Sequence, residues 1–122
     1  MGIFWEFLSK LLGKRGVRVS EIRCVELKEW IESGRPLQLV DVREPHELEI
    51  CRINPCRHIP LGQLEARWAE LDPKMPTVLV CRSGKRSAVA TNFLLAKGFQ
   101  AQNLVGGVLA WGDEVDPSFP KY

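Results

Sequence analysis

Residues 77–87 read TVLVCRSGKRS and contain one cysteine between a strand-like run and a helix-like run. The first four residues form a short apolar run with β-branched side chains, which predicts a buried strand. The segment 87–97 contains good helix formers and ends before Gly98, which predicts a helix. We therefore expect Cys81 to lie in a short basic loop that connects a strand to a helix.

Cys81 is the candidate nucleophile. Ligands of open α/β sheets bind at the carboxyl ends of the strands, where a short strand-to-helix loop turns backbone N–H groups inward as an anion-binding nest. The loop cations and the positive end of the following helix favour the thiolate. Burial as a small hydrophobe is the commoner fate of a free cysteine, but it does not explain the adjoining glycine and cations. The residues expected to bind substrate or a persulfide are Arg82, Ser83, Gly84, Lys85, Arg86 and Ser87.

The length and charge of the chain limit the class of protein to which it can belong. The chain has 122 residues, enough for one domain with a core that needs no disulfide or structural metal. Its formal net charge is +2, and its basic residues are scattered except around Cys81 and at Lys14-Arg15. Nucleic-acid-binding proteins concentrate basic residues on one face, so we expect no nucleic-acid partner.

The four cysteines predict reduced thiols rather than disulfides. The N-terminal apolar run has no small-residue cleavage site, so we expect no secretory signal and a cytoplasmic location. Cys51 and Cys56, with His58 close by, raise a zinc hypothesis, but a second pair of ligands is missing. We therefore expect no metal and no cofactor.

The N-terminal residues predict a short amphipathic helix at 3–12, followed by a linker at 13–16. This helix is too short to span a bilayer. We expect it to pack on its own domain or on a neighbouring subunit, with weak membrane-surface binding as the alternative. Residues 17–115 then form the main domain, and residues 116–122 an irregular tail.

From residue 17 onward, short apolar runs alternate with amphipathic segments, which is typical of βα units. Because right-handed crossovers cover both faces of such a sheet, we predict a single α/β domain with a five-stranded parallel sheet. The carboxyl ends of two strands should bring Asp41, Arg43 and Glu44 close to Cys81. We predict strands at 19–23, 37–42, 58–59, 77–80 and 102–105, and helices at 25–32, 45–50, 61–71, 87–97 and immediately before Trp111.

Four motifs in order resemble those of the rhodanese family of sulfurtransferases in its single-domain form. They are DVRE at 41–44, HIPL at 58–61, CRSGKRS at 81–87, and LVGG at 104–107 with Trp111. The resemblance covers roughly residues 20–112. It implies a rhodanese-like domain at 17–115 with strand order 1-5-4-2-3.

The resemblance also implies a reaction. The Cys81 thiolate would take a sulfane sulfur from a small anionic donor such as thiosulfate or mercaptopyruvate, and pass it to a thiol, cyanide or a sulfur-acceptor protein. Arg82, Lys85 and Arg86 would hold the donor. Asp41 and Arg43 match a pattern that supports the loop, although a structural ion pair explains them nearly as well. Gly106-Gly107 would allow a close backbone approach.

The segment CRINPC at 51–56 departs from the family pattern, which has glycines and a histidine there. This departure leaves open a role for Cys51 or Cys56 as a resolving thiol.

Two other functions are compatible with the same fold. Phosphatases and arsenate reductases use a longer loop, Cys-x5-Arg, whose arginine binds the oxyanion. Here Ser87 occupies that position and Arg86 comes one residue too early, so this alternative is weaker. Non-catalytic docking or regulatory domains that resemble rhodaneses commonly lack the cysteine, which this chain retains.

Overall fold

The computed structural model describes residues 20–122. The predicted helix at 3–12 and its linker lie outside the described residues. The strands are β1 (Glu21–Ile22), β2 (Gln38–Asp41), β3 (Arg57–His58), β4 (Thr77–Val80) and β5 (Ala101–Leu104). The helices are α1 (Cys24–Glu32), α2 (Pro45–Ile50), α3 (Leu61–Arg67), α4 (Lys85–Ala96) and α5 (Gly107–Glu114), with a 3-10 turn at Trp68–Glu70.

The five strands form one parallel sheet in the order β1-β5-β4-β2-β3, so the predicted class and topology are confirmed. Strand β4 lies at the centre, and Asp41 at the end of β2 is in register with Val80 at the end of β4. The register extends by one bond, because the amide of Val42 donates to the carbonyl of Val80 at 2.9 Å. This pairing brings the carboxyl ends of β2 and β4 to the same edge of the sheet.

Both faces of the sheet are buried, as the apolar strands predict. Along β4, Val78 and Val80 pack on the side of α1 and α5, whereas Leu79 packs on the side of α3 and α4. All three side chains are at most 1% exposed. Each such burial stabilises the fold by about 1.5–3 kcal/mol. The core therefore fixes the strand end from which Cys81 projects.

The first or last residue of several helices and strands differs from the sequence-based prediction. Helix α4 begins at Lys85 rather than at residue 87, because Gly84 adopts a left-handed conformation (φ 99°) and caps the helix two residues early. The segment predicted as one helix at 61–71 ends at Arg67 and continues as a tighter 3-10 turn. Within residues 20–122, no helix combines the length and apolar character needed to cross a membrane.

Candidate active site

Cys81 directly follows β4, and its sulfur is enclosed by the loop that comes after it. The backbone amide of Gly84 lies 3.0 Å from Cys81 Sγ, and Ser87 Oγ lies 3.2 Å from the same atom. Only 1% of Cys81 is exposed. Both neighbours are donors that stabilise negative charge on sulfur, and the enclosure restricts access to small or extended groups such as a terminal sulfur atom.

The tight loop depends on Gly84. Its positive φ brings its amide back toward the sulfur at the start of the 12-residue helix α4, whose positive end adds to the favourable potential for an anion. A Cβ atom at residue 84 would lie 3.2 Å from the backbone nitrogen of Gly106. A larger residue here would therefore strain the backbone and crowd the neighbouring turn.

Helix α5 fixes the loop from the other side. The amides of Val108 and Leu109 donate to the carbonyls of Cys81 and Arg82, at 3.0 and 3.1 Å. This contact requires Gly107, because a Cβ there would lie 2.4 Å from the Cys81 carbonyl oxygen. The close backbone approach predicted for the glycine pair is thus present. Since both carbonyl oxygens accept hydrogen bonds from α5, their partial negative charge repels an anion beside the sulfur less strongly.

Asn103 on β5 is a site residue that the sequence analysis missed. It is buried, its Nδ2 donates to the Gly84 carbonyl at 3.1 Å, and its Oδ1 lies 2.6 Å from Ser87 Oγ. The single hydroxyl hydrogen of Ser87 therefore has two acceptors within reach, Asn103 Oδ1 and Cys81 Sγ. An ionised sulfur competes better for that hydrogen than a neutral thiol does.

Asp41 and Arg43 form a fully buried ion pair, with Arg43 Nη2 2.8 Å from Asp41 Oδ2. Arg43 Nη2 also donates to the Cys51 carbonyl, and Arg43 Nη1 to the Glu47 carbonyl and to Tyr122 Oη. Burial alone would lower the pKa of Arg43, but hydrogen bonds to Asp41 and Tyr122 outweigh it and raise that pKa above its ordinary range. Within the described part of the chain, Arg43 makes no hydrogen bond to Cys81; its partners lie on β2, on α2 with the residue after it, and at Tyr122.

Glu47 on α2 connects this buried pair to the loop. Its carboxylate accepts hydrogen bonds from Arg86 Nη1 and Nη2 at 2.6 and 2.9 Å, and from Tyr122 Oη at 2.8 Å. The amide of Glu44 adds a fourth hydrogen bond at 3.0 Å. The hydrogen bonds from Arg86 are the main cause that lowers the pKa of Glu47 to about 2. The sequence does not predict the contact between Glu47 and Tyr122, because 75 residues separate the two side chains.

The three loop cations have different surroundings. Arg86 is paired with Glu47. Arg82 donates from Nε to the backbone carbonyl of Tyr122, and its guanidinium lies 5.2 Å from the centre of the Tyr122 ring. Lys85 is exposed and makes no ion pair with any residue from 20 to 122. Arg82 is also exposed and is in no ion pair with residues 20–122, so Arg86 is the one loop cation of the three with a carboxylate partner in the described part of the chain.

The other three cysteines have different environments. Burial, with a smaller effect of the Glu114 charge, raises the pKa of Cys24 to about 11. Burial also raises the pKa of Cys56, and Cys51 Sγ lies 4.0 Å from Arg43 Nη1. All four cysteines are free thiols, and among residues 20–122 no group of three or more potential ligands could hold a metal ion.

This geometry is matched by a family comparison. Residues 24–114 fit the model of the family described as "Rhodanese-like domain". The chain belongs to the rhodanese family. The resemblance inferred from the four sequence motifs is thereby confirmed.

Individual relatives agree with this rhodanese assignment. The chain is 38% identical over 111 residues to "Adenylyltransferase and sulfurtransferase MOCS3-2" of Zea mays, covering 84% of this chain and 23% of that protein. It is 37% identical over 101 residues to YtwF of Bacillus subtilis, covering 83% of this chain and 98% of the relative. The chain thus spans less than a quarter of the maize protein and nearly the whole length of YtwF.

A solved rhodanese structure is also similar. The "Rhodanese-like Domain Protein" from Staphylococcus aureus has a TM-score of 0.73 and 33% identity, covering 79% of this chain and 94% of that chain. The rhodanese fold therefore extends over nearly all of that smaller protein. In this chain it is also the fold that places Cys81 at the carboxyl edge of the sheet.

Proposed function

We propose that this rhodanese domain is a sulfurtransferase that moves a sulfane sulfur from a donor such as thiosulfate to a thiophilic acceptor through a persulfide on Cys81. The observation that carries the proposal is the position of Cys81 Sγ, 3.0 Å from the Gly84 amide and 3.2 Å from the Ser87 hydroxyl. The Gly84 amide, the positive end of α4 and the Ser87 hydroxyl, whose hydrogen an ionised sulfur attracts away from Asn103 Oδ1, favour a thiolate. A rhodanese fold and a relative named as a sulfurtransferase support the same reaction.

The first half-reaction forms the persulfide. The Cys81 thiolate attacks the outer sulfur of thiosulfate, a new S–S bond forms, the S–S bond of thiosulfate breaks, and sulfite leaves with the bonding electron pair. Charge is conserved, since a monoanion and a dianion give the persulfide monoanion and the sulfite dianion. The amide and hydroxyl donors stabilise the anionic sulfur throughout, so the step needs no general base.

The second half-reaction regenerates the thiolate. A nucleophilic acceptor attacks the outer sulfur of the Cys81 persulfide, and the Cys81 thiolate is the leaving group. Cyanide would give thiocyanate, and a thiolate would give a new persulfide. The same donors stabilise the departing Cys81 thiolate, so one geometry serves both directions of transfer.

The proposed reaction needs a sulfur donor, a sulfur acceptor and a reducing environment. We propose a small anionic donor and, as acceptor, cyanide, a thiol or a sulfur-acceptor protein, in a reducing cytoplasmic setting that keeps the cysteines as thiols. We propose Lys85 and Arg82 as the loop cations that attract the donor, because both are exposed whereas Arg86 is paired with Glu47.

Intact mass spectrometry tests the proposal directly. After incubation with thiosulfate, the protein should gain the mass of one sulfur atom, and dithiothreitol should remove it. Cys81→Ala should show no gain, whereas Cys24→Ala, which removes a buried thiol with a raised pKa, should still gain the sulfur. A sulfur gain that persists in Cys81→Ala would refute the assignment of the nucleophile.

A further inference from the structure

The charge next to the Cys81 sulfur is smaller than the loop sequence suggests. Arg86 lies in the first turn of α4, immediately before Ser87, whose hydroxyl is 3.2 Å from the sulfur. The pKa of Arg86 is raised, mainly by its hydrogen bonds to Glu47 and in smaller part by the charge of Cys81. Arg86 is therefore the loop cation next to Ser87 in the first turn of α4, and it carries a paired counter-charge.

The counter-charge is fixed in place. The Glu47 side chain is 8% exposed, and its two oxygens accept two hydrogen bonds from Arg86, one from Tyr122 and one from the Glu44 amide. With so many donors the carboxylate stays ionised at neutral pH. Tyr122 is itself held by Arg43 Nη1 at 2.8 Å, so the buried ion pair anchors the arrangement. Glu47 cannot simply swing away when an anion approaches.

A neutralised arginine changes which anions the site can bind. Sites that hold a tetrahedral dianion use unpaired guanidinium groups that bind two oxygens at once. Here both terminal nitrogens of Arg86 already donate to Glu47. A dianion at the sulfur would therefore face a carboxylate as well as the cations, and the cost rises with its second charge.

We propose that Glu47 is a specificity-determining residue that lowers the affinity of the Cys81 site for dianionic oxyanions, so that the site prefers sulfur donors with a single charge, such as low-molecular-weight persulfides. This inference rests on the proposed sulfurtransferase function and narrows its donor class. With such a donor, R–S–S⁻, the Cys81 thiolate attacks the outer sulfur, a new S–S bond forms, the S–S bond of the donor breaks, and R–S⁻ leaves with the bonding electron pair. The products are R–S⁻ and the Cys81 persulfide, so atoms and charge balance.

The test compares two inert anions of the same shape, sulfate (two charges) and methanesulfonate (one charge). Each is titrated at constant ionic strength while iodoacetamide alkylates Cys81 in the full chain, and the protection constant is read from the mass of the Cys81 peptide. Because neither anion transfers sulfur, this result does not depend on the proposed reaction. The wild-type protein should bind methanesulfonate at least as tightly as sulfate.

Glu47→Gln should raise the preference for sulfate over methanesulfonate by about tenfold, because Arg86 loses its counter-charge. Glu49→Gln is the matched control: it removes the same charge from an exposed position on the same helix and should leave the preference unchanged. Glu47→Asp keeps the charge and should also leave it unchanged. An unchanged or reduced preference in a folded Glu47→Gln would overturn the proposal.

A double variant provides a second measurement in which Arg86 is not left without its partner. Glu47→Gln combined with Arg86→Gln removes the pair as a neutral unit, and sulfate protection should stay within about twofold of wild type. A larger loss would show that Arg86 binds the anion despite its pairing, which contradicts the proposal.

Sulfur transfer provides the second arm. The donors are thiosulfate and methanethiosulfonate, which differ by one charge at the same sulfonyl group. Glu47→Gln should lower the KM for thiosulfate about tenfold more than the KM for methanethiosulfonate, with little change in the ratio of kcat values. Equal changes in both KM values would contradict the proposal. If neither donor is turned over by the wild-type protein, the proposed function fails, while the protection constants still judge the role of Glu47.

Discussion

Four cysteines in one small domain differ in the polar groups that surround each sulfur. Burial raises the pKa of Cys24 and Cys56, because an apolar environment disfavours a thiolate. Cys81 is as buried as Cys24, yet its sulfur has an amide and a hydroxyl within hydrogen-bond distance. The two cysteines therefore differ in the polar groups at the sulfur rather than in their burial.

The Ser87 hydroxyl contributes to this difference, and its removal is measurable. In Ser87→Ala the sulfur keeps the Gly84 amide but loses its side-chain donor, so alkylation of Cys81 by iodoacetamide near pH 7 should slow by about tenfold. Ser83→Ala, in the exposed part of the same loop, is the control and should react at the wild-type rate. Equal rates for both variants would show that the hydroxyl does not act on the sulfur.

A resolving role for Cys51 or Cys56 is testable by substitution of both cysteines. Cys51 contacts the buried Arg43, and the Cys56 thiol has a raised pKa. Neither environment marks the side chain as a partner for a Cys81 persulfide. The double variant Cys51→Ser, Cys56→Ser should therefore retain full turnover with a thiol acceptor. Loss of turnover with thiols but not with cyanide would establish a resolving cysteine.

The sequence predicts which residues of the Cys81 loop lie close together, but it does not predict which residues of other elements contact that loop. Cys81, Gly84 and Ser87 lie within seven consecutive residues, so their proximity follows from a tight strand-to-helix turn. Asn103 reaches the loop from β5 and Glu47 from α2. Their roles depend on tertiary packing, and an asparagine in a strand or a glutamate in a helix gives no local sign of it.

Among the elements, the turn between β5 and α5 has the most direct effect on the site. The first turn of α5 donates two amides to the carbonyls of Cys81 and Arg82, which requires the backbones to touch at Gly107. Helix α5 therefore acts as a clamp on the active-site loop as well as a cover for the core. This explains why the motif at 104–107 accompanies the cysteine motif.

Gly107→Ala should break this clamp. The new Cβ would lie 2.4 Å from the Cys81 carbonyl oxygen, and the residue has a φ of 58°, so the backbone must shift. We expect a loss of at least about 2 kcal/mol in the free energy of unfolding, together with slower Cys81 alkylation. Gly62→Ala in α3 is the control, because nothing lies within 4 Å of its Cβ. It should change stability by less than about 1 kcal/mol, in the stabilising direction. Urea denaturation of both variants provides the measurement.

Helix and strand identities were predictable because their apolar patterns are strong. Strand β4 and helix α2 have the predicted bounds, and the other elements shift by one to four residues at an end. The early start of α4 was not predictable from helix propensity, because it depends on the backbone conformation of Gly84. That conformation is in turn fixed by its contacts with the sulfur and the β5–α5 turn.

Across the whole molecule, the residues after α5 connect distant parts of the fold. The segment 116–122 was predicted to be irregular, and it contains no helix or strand. It nevertheless places Tyr122 between the buried Arg43, the Glu47 carboxylate and the Arg82 guanidinium. The contacts of Tyr122 therefore connect the C-terminal segment to the buried Arg43 and to Glu47, which is paired with Arg86.

This coupling predicts a specific dependence of stability on pH. Glu47 has a folded-state pKa of about 2, below its ordinary value of 4.5, mainly because of its hydrogen bonds to Arg86. Since the folded pKa is depressed, the stabilisation is complete above pH ~4.5 and is lost as pH falls toward ~2. Its magnitude is about 2 kcal/mol, reduced by solvent screening because the Arg86 side chain is 36% exposed. The wild-type protein should thus exceed Glu47→Gln in unfolding free energy near neutral pH, and this difference should shrink between pH ~5 and pH ~2.

Glu70 supplies the matched comparison. Its pKa is also lowered to about 2, by hydrogen bonds to Arg67 and Arg57, but the side chain is 38% exposed. Water and salt screen such a surface pair, so Glu70→Gln should hardly change stability at any pH. Urea denaturation of the three proteins from pH 7 to pH 2.5 measures both effects. A pH-independent gap for Glu47→Gln would mean that the variant loses packing rather than charge, and that the Glu47 carboxylate does not stabilise the fold through its ionised form.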